Sequence, residues 1–390
     1  MNGPIIFIEP LCRGFEHAQY NTPLIKSAAL AYPGVPIIYI AEQTHLDHVR
    51  AMLASAAPEV NVDWQSIQLP PRDLAPVKRM KAEYALLRSV MDQGEQTRAR
   101  AVIATSATDT ATLAVKLILH RRKFPFPVLA VLHSVLAGLE DRTRSFAALR
   151  GIRLAISVPH PKGLQFIVPG RPIQEYLNAH FPEVAAHCRP LDHPSFWAAH
   201  EPAPLRPTAP VRFGFFGVSA VPGFDLVVQI ARELKAEGCT AEFSMVGHLN
   251  HPDDPQRDYT AVPDASPKIL TPVEYRSRAE QLTYALWTTR THRSGLVASS
   301  TFLDTLSYIK PIIYLSNPLI DWYARDLGDI GYRCMDAEEM KALVRRLAAE
   351  PPGERYLRQC RTIQEGRRAF DPKVVGGILR TIIEETGRPA

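Results

Sequence analysis

Short apolar runs alternate with longer stretches of helical period along most of the 390 residues. In the first half Ile5–Glu9, Val35–Ile40, Ala101–Thr105 and Pro127–His133 are four to seven residues long and rich in branched side chains. They read as strands buried on both faces. Between them Gly14–Ala31, His45–Ala57, Ala82–Asp92 and Asp109–His120 show the spacing of amphipathic helices. The apolar runs Leu154–Val158 and Leu164–Val168 close this half. The pattern then lapses into a Pro-rich stretch over 194–210, read as a semi-rigid linker. It restarts with strand Phe213–Phe216, helix Leu226–Glu237, strand Ala241–Val246, helix Pro272–Gln281 and strand Tyr284–Thr288. Helix Thr301–Tyr308, strand Pro311–Leu315, helix Met335–Glu350 and helix Lys373–Glu385 follow. The polar loop Gly247–Pro263 is expected to be mobile. Strands that alternate with helices predict parallel sheets, hence an α/β protein of two Rossmann-like domains.

Composition narrows this little. With 46% hydrophobic and 22% charged residues the chain has material for ordinary cores. Five widely spaced cysteines without a Cys-x-x-Cys pair imply neither zinc nor a disulfide framework, so a reducing cytoplasm is expected. The first residues read as a strand and not as a signal peptide, and no apolar run is long enough to cross a membrane. Net charge is +5, but residues 72–153 hold 15 basic and seven acidic side chains. The densest point is Arg121-Arg122-Lys123 beside Phe124 and Phe126. It suggests weak contact with an anionic membrane surface and a peripheral place on the inner face of the plasma membrane. No nucleic-acid motif accompanies it, and no nucleic-acid partner is expected.

Ligands of open parallel sheets bind at the carboxyl ends of the strands. Three loops there carry chemistry. The segment Arg13-Gly14-Phe-Glu16-His17 through Asn21 follows the first strand. Glu16 and His17 are candidate catalytic groups, with Arg13 and Asn21 on the acceptor. His133 ends the most apolar strand of this half and is a candidate general base. Asp109 is a further acceptor-binding candidate. In the second half, strand and helix meet at a glycine-bearing loop, Gly217-Val-Ser219-Ala-Val-Pro-Gly223, whose N–H groups suit a phosphate. Facing it in the expected site is Arg290-Thr-His292-Arg293-Ser-Gly295, followed by Ser299, Ser300, Thr301 and Asp304. This is an inventory for a leaving diphosphate, with Asp304 for ribose hydroxyls.

Phe215-Phe-Gly217…Gly223-Phe-Asp-Leu, Phe243-Ser-Met-Val-Gly247 and Leu303-Asp304-Thr-Leu-Ser-Tyr-Ile-Lys-Pro311 resemble the C-terminal domain of GT-B glycosyltransferases. The likeness is to the retaining family-four type, over roughly residues 211–345. The resemblance implies an acceptor domain over 1–193 and a linker over 194–210. It implies a donor domain over 211–370 that faces the first across a cleft, and a final helix within 371–390 that crosses back to the first domain. It implies sugar transfer from a nucleotide diphosphate sugar to a glycan or lipid-linked acceptor, in surface polysaccharide or glycoconjugate synthesis. Ile269 and Leu270 would lie near the base. No cofactor and no metal is expected. The donor motif is degenerate. Leu296 stands where the first of two spaced glutamates is usual, and the loop after the first donor-domain strand lacks the usual Arg and Lys. An inactive binding or scaffold protein, or a sugar-phosphate epimerase on the same fold, would show similar changes.

Overall fold

A computed structural model describes residues 3–140, 152–197, 210–218, 223–250, 258–289, 295–350 and 352–388. The chain divides into two compact units. The first holds residues up to Phe196 with Leu296–Ala298 and Ala369–Ala390, and the second holds Trp197–Gly295 with Ser299–Arg368.

In the first unit, β1 (Ile5–Ile8), α1 (Ala18–Ala31), β2 (Ile37–Ala41), α2 (Gln43–Ala56), β3 (Val62–Ser66), α3 (Pro76–Gln96), β4 (Ala101–Ala104) and α4 (Asp109–Arg121) come first. Then follow β5 (Val128–Val131), α5 (Ile152–Ser157), β6 (Leu164–Val168), α6 (Arg171–His180), α7 (Pro182–Ala185) and β7 (Cys188–Pro190). The strands form one parallel sheet in the order β3-β2-β1-β4-β5-β6-β7. The inner strands feed both faces. Ile5 and Phe7 enter the core under α1 and α2, whereas Ile6 and Ile8 enter the core that holds Leu87, Ile118 and Phe126. That double burial is why the strands read as unbroken apolar runs.

The second unit holds β8 (Arg212–Val218), α8 (Phe224–Ala236), β9 (Glu242–His248), α9 (Pro272–Gln281), β10 (Tyr284–Trp287) and α10 (Ser300–Ser307). It continues with β11 (Ile312–Leu315), α11 (Pro318–Leu327), β12 (Gly331–Cys334), α12 (Ala337–Ala349) and α13 (Glu354–Gly366). Its parallel sheet runs β12-β11-β10-β8-β9. The chain ends in α14 (Pro372–Thr386).

Several expectations shift. The first helix starts at Ala18 and not at Gly14, because Gly14 and His17 both adopt left-handed backbone angles (φ 53° and 50°) that no α-helix accommodates. Leu154–Val158 falls largely within α5, whose C-terminal carbonyls at Ile156 and Val158 accept from the buried Lys116 ammonium. The strand β3, half polar, escaped the apolar-run criterion. Residues up to Phe196, expected in the linker from 194 onward, pack with the first unit. Among the described residues no helix is long and apolar enough to cross a membrane.

Helix α14 belongs to the first unit, where it lies on α1. The approach is close at Gly376: a Cβ there would sit 2.4 Å from the Ser27 carbonyl oxygen. Gly376→Val is therefore expected to cost about 1–3 kcal/mol of stability by overpacking. Gly377→Val, where a Cβ meets nothing within 4 Å, is the matched control. Denaturant titration of both variants checks the difference.

Candidate active site

In the first sheet the strand order reverses between β1 and β4, and such a switch point opens a crevice at the strands' carboxyl ends. Glu9 follows β1 there and is fully buried. Its Oε1 accepts from the Leu11 and Cys12 N–H groups at 3.0 Å each. Its Oε2 accepts from the Asn21 amide at 3.0 Å, the Thr105 hydroxyl at 2.7 Å and the Ser106 hydroxyl at 2.8 Å. Burial alone would push this carboxyl up. The hydrogen bonds from Thr105, Asn21, Ser106 and Cys12 outweigh it and hold the group below its ordinary value.

The arrangement sets a tautomer. The Ser106 proton goes to Glu9, so Ser106 Oγ accepts from His17 Nδ1, 3.1 Å away. His17 Nε2 then carries the lone pair, as a general base requires. A left-handed non-glycine residue is strained, and here the strain aims an imidazole at the end of the sheet. The His133 ring lies 4.5 Å from that of His17. Tyr20 meets His133 edge-on at 4.2 Å and His193 at 4.7 Å. Burial drives His133 well below its usual value, and burial takes His193 to about 4. His17 is lowered by burial against the opposing pull of Glu9 and Glu16. The Tyr20 hydroxyl, the Asn21 Oδ1 and the His133 Nε2 are all buried and unpartnered.

The first-half candidates thus separate. His17 and His133 come together. Asn21 lies beneath them, fully buried, with its amide shared between Glu9 and His45 Nε2 (3.0 Å each). Glu16 is exposed, accepts the Arg13 N–H at 3.0 Å and pairs with Arg72. Arg13 donates to the Leu69 and Pro70 carbonyls at 3.3 and 2.9 Å. Asp109 lies in the first turn of α4, where its carboxylate accepts the Thr110 N–H at 2.9 Å and a negative charge suits the helix dipole. Glu9, Tyr20, Ser106 and His193 were missed. A carboxylate directly after the first strand was the available signal for Glu9. His193 stands at the border of the Pro-rich stretch, with no strand or helix signal around it.

The second sheet reverses between β8 and β10, and its switch point is built differently. Gly217 (φ 116°) ends β8, and a Cβ there would meet Thr301 Cγ2 at 3.1 Å. Gly223 (φ 118°) starts α8, and a Cβ there would sit 2.3 Å from Thr288 Oγ1, which donates to the Gly223 carbonyl at 2.7 Å. Ser299 caps α10, accepts the Phe302 N–H at 3.4 Å and bonds Thr301 Oγ1 at 2.9 Å. Ser300 is exposed beside it. The described residues give a surface of backbone and hydroxyl groups, the kind that takes an anion. Asp304 is set one turn further on. Its carboxylate accepts the Tyr275 hydroxyl at 2.7 Å, and burial raises it to about 6 against that bond. Ile269 is 72% exposed and, with Leu270, leads into the capping box of α9. Ser219, Arg290, His292 and Arg293 lie outside the described residues. Leu296 packs into the core of the first unit. Among the described residues no group of three or more His, Cys, Asp or Glu is arranged to hold a metal ion.

Solved structures carry the same architecture. A glycosyltransferase from Rickettsia africae superposes with a TM-score of 0.66 at 8% identity, covering 100% of this chain and 99% of that one. Anabaena HepE in complex with UDP and glucose gives 0.64 at 12% identity, covering 98% and 99%. The lipopolysaccharide outer core galactosyltransferase WaaB, in its apo form, gives 0.64 at 13%, covering 98% and 99%. The fold is that of the GT-B glycosyltransferases. No family model matches the sequence, and no curated protein matches it by sequence. At such identities the likeness speaks for the architecture, two parallel α/β sheets with alternating helices.

The histidine cluster predicts a pH dependence of stability. The unfolded chain protonates imidazole near 6.5, whereas folded His193 does so only at about 4. Between those values the unfolded state holds more protons, so stability falls as pH is lowered through that window. Denaturant midpoints at pH 7 and pH 5 should differ in that sense, and His193→Gln should flatten the difference. A midpoint that rises on acidification would contradict the assignment.

Proposed function

We propose that the protein transfers a sugar from a nucleoside diphosphate sugar to a hydroxyl of a glycan or lipid-linked acceptor. The observation that carries this reading is the chain Glu9–Ser106–His17, which ends in an imidazole lone pair at the switch point of the first sheet. HepE, of the same fold, was solved with UDP and glucose, and WaaB is a lipopolysaccharide outer core galactosyltransferase. The first supports a nucleotide sugar as donor and the second a glycan or glycolipid as acceptor.

In this reading the acceptor hydroxyl lies against His17 Nε2. As its oxygen attacks the anomeric carbon, the proton passes to His17 and the bond to the diphosphate breaks. Ser106 and Glu9 stabilise the imidazolium that forms. Within the second unit, the glycine loop at Gly217 and Gly223 and the α10 N-terminus at Ser299–Thr301 suit the diphosphate of a donor. A positioned base serves a single displacement, so the product should have inverted anomeric configuration. That departs from the retaining type the sequence resembles, and Leu296 at the first glutamate position agrees with the departure.

His17→Ala should lower kcat by roughly 10²- to 10⁴-fold, the usual contribution of a general base, with donor affinity unchanged. Ser106→Ala should lower kcat less and move the acidic limb of the kcat profile, because it uncouples His17 from Glu9. A library of nucleotide sugars, read by nucleoside diphosphate release and by NMR of the product anomer, tests the assignment. Donor binding without turnover would favour a binding protein, and a full rate in His17→Ala would remove the base from this site.

A further inference from the structure

The amino-terminal ends of β5, β6 and β7 lie at the edge of the first sheet opposite Glu9. A groove of about 1130 Å3 opens there, walled by the loop after α4, the loop before β6, the start of β7 and the last turn of α14. Its charge is one-sided. Lys123, Lys162 and Arg388 line it, are exposed, and make no side-chain hydrogen bond or ion pair with any described residue. The one carboxylate among the described lining residues, Glu385, is taken by Arg189 at 2.7 Å. Arg122, counted at first into the basic cluster, is engaged by Asp92 and Glu95. Three uncompensated cations around one concavity repel each other and focus a positive field on it, and a bound anion relieves both.

One further atom narrows the ligand. His160 lines the same groove and stacks on His187 at 4.3 Å with rings 5° from parallel. Its Nε2 lies 2.9 Å from the Leu164 carbonyl, an acceptor, so Nε2 carries the proton. Nδ1 is then an acceptor, buried and without a partner. A fully ionised anion such as sulfate offers it nothing, whereas a phosphate ester with a free hydroxyl offers it an O–H donor. A molecule with both an anionic oxygen and an O–H satisfies the cations and the imidazole together.

We propose that this groove binds a phosphate ester bearing a free hydroxyl, with its phosphate among Lys123, Lys162 and Arg388 and its hydroxyl donating to His160 Nδ1. A lipid headgroup and a soluble polyol phosphate share this chemistry. The site is remote from the strand ends that carry His17 and does not depend on glycosyl transfer.

The test uses the full chain with two probes: glycerol 3-phosphate by calorimetry, and phosphatidylglycerol against phosphatidylcholine vesicles by flotation. At least one phosphate probe should bind. The triple variant Lys123→Gln, Lys162→Gln, Arg388→Gln should weaken it tenfold or more, while Arg232→Gln, an exposed cation of the other unit, should not. His160→Phe should remove the preference for glycerol 3-phosphate over sulfate. Binding of the soluble ester alone names a soluble ligand, and binding of phosphatidylglycerol vesicles alone names a headgroup; either supports the site. Binding of neither probe, equal recovery of both vesicle types without soluble binding, or a triple variant that binds like wild type overturns it.

Discussion

A carboxylate buried at the end of the first strand is the constraint on which the first unit's site depends. Glu9 has no exposed surface, and five donors from three places in the chain converge on it. Hydrogen bonds to a charged group contribute roughly 1.5–3 kcal/mol each, and a buried donor left without its acceptor costs as much again. The loop after β1, the start of α1 and the loop after β4 are therefore held in one arrangement. His17 is part of that arrangement. Its left-handed backbone and its bond to Ser106 hold because the surroundings of Glu9 leave the chain no cheaper path.

The two units apply one topological rule with different chemistry. Each places its candidate site where the strand order reverses. In the first the crevice holds a carboxylate, hydroxyls and imidazoles, suited to handling a proton. In the second, the described residues offer glycine backbone, Thr288, Ser299 and Thr301, suited to holding an anion. The buried lysines belong to neither site. Lys116 donates to carbonyls at the end of α5, and Lys310 donates to the Glu280 and Leu282 carbonyls at the end of α9 (2.9 and 2.6 Å). Burial brings each down to about 8, and each is a helix cap in place of a solvated cation.

By itself the sequence determined the fold class, most of the strands and the halves of the chain. Branched apolar runs of four to seven residues cannot be hidden except between two helical layers, and the pattern shows this without coordinates. It also marked His17, His133, Gly217 and Gly223, since strand ends and glycines punctuate the pattern. What only the tertiary structure decided is which of these residues meet. Glu9 and Ser106 are 97 positions apart and are joined because β1 and β4 are neighbours in the sheet. His193 enters the cluster because β7 ends beside it, although its local sequence reads as linker. Glu16, one residue from His17, turns to the surface and to Arg72 because the backbone reverses hand at His17. Period and composition act over a few residues and are legible in the chain. Hydrogen-bond partners and pKa values depend on contacts between distant segments, which the packing of the sheet alone brings about.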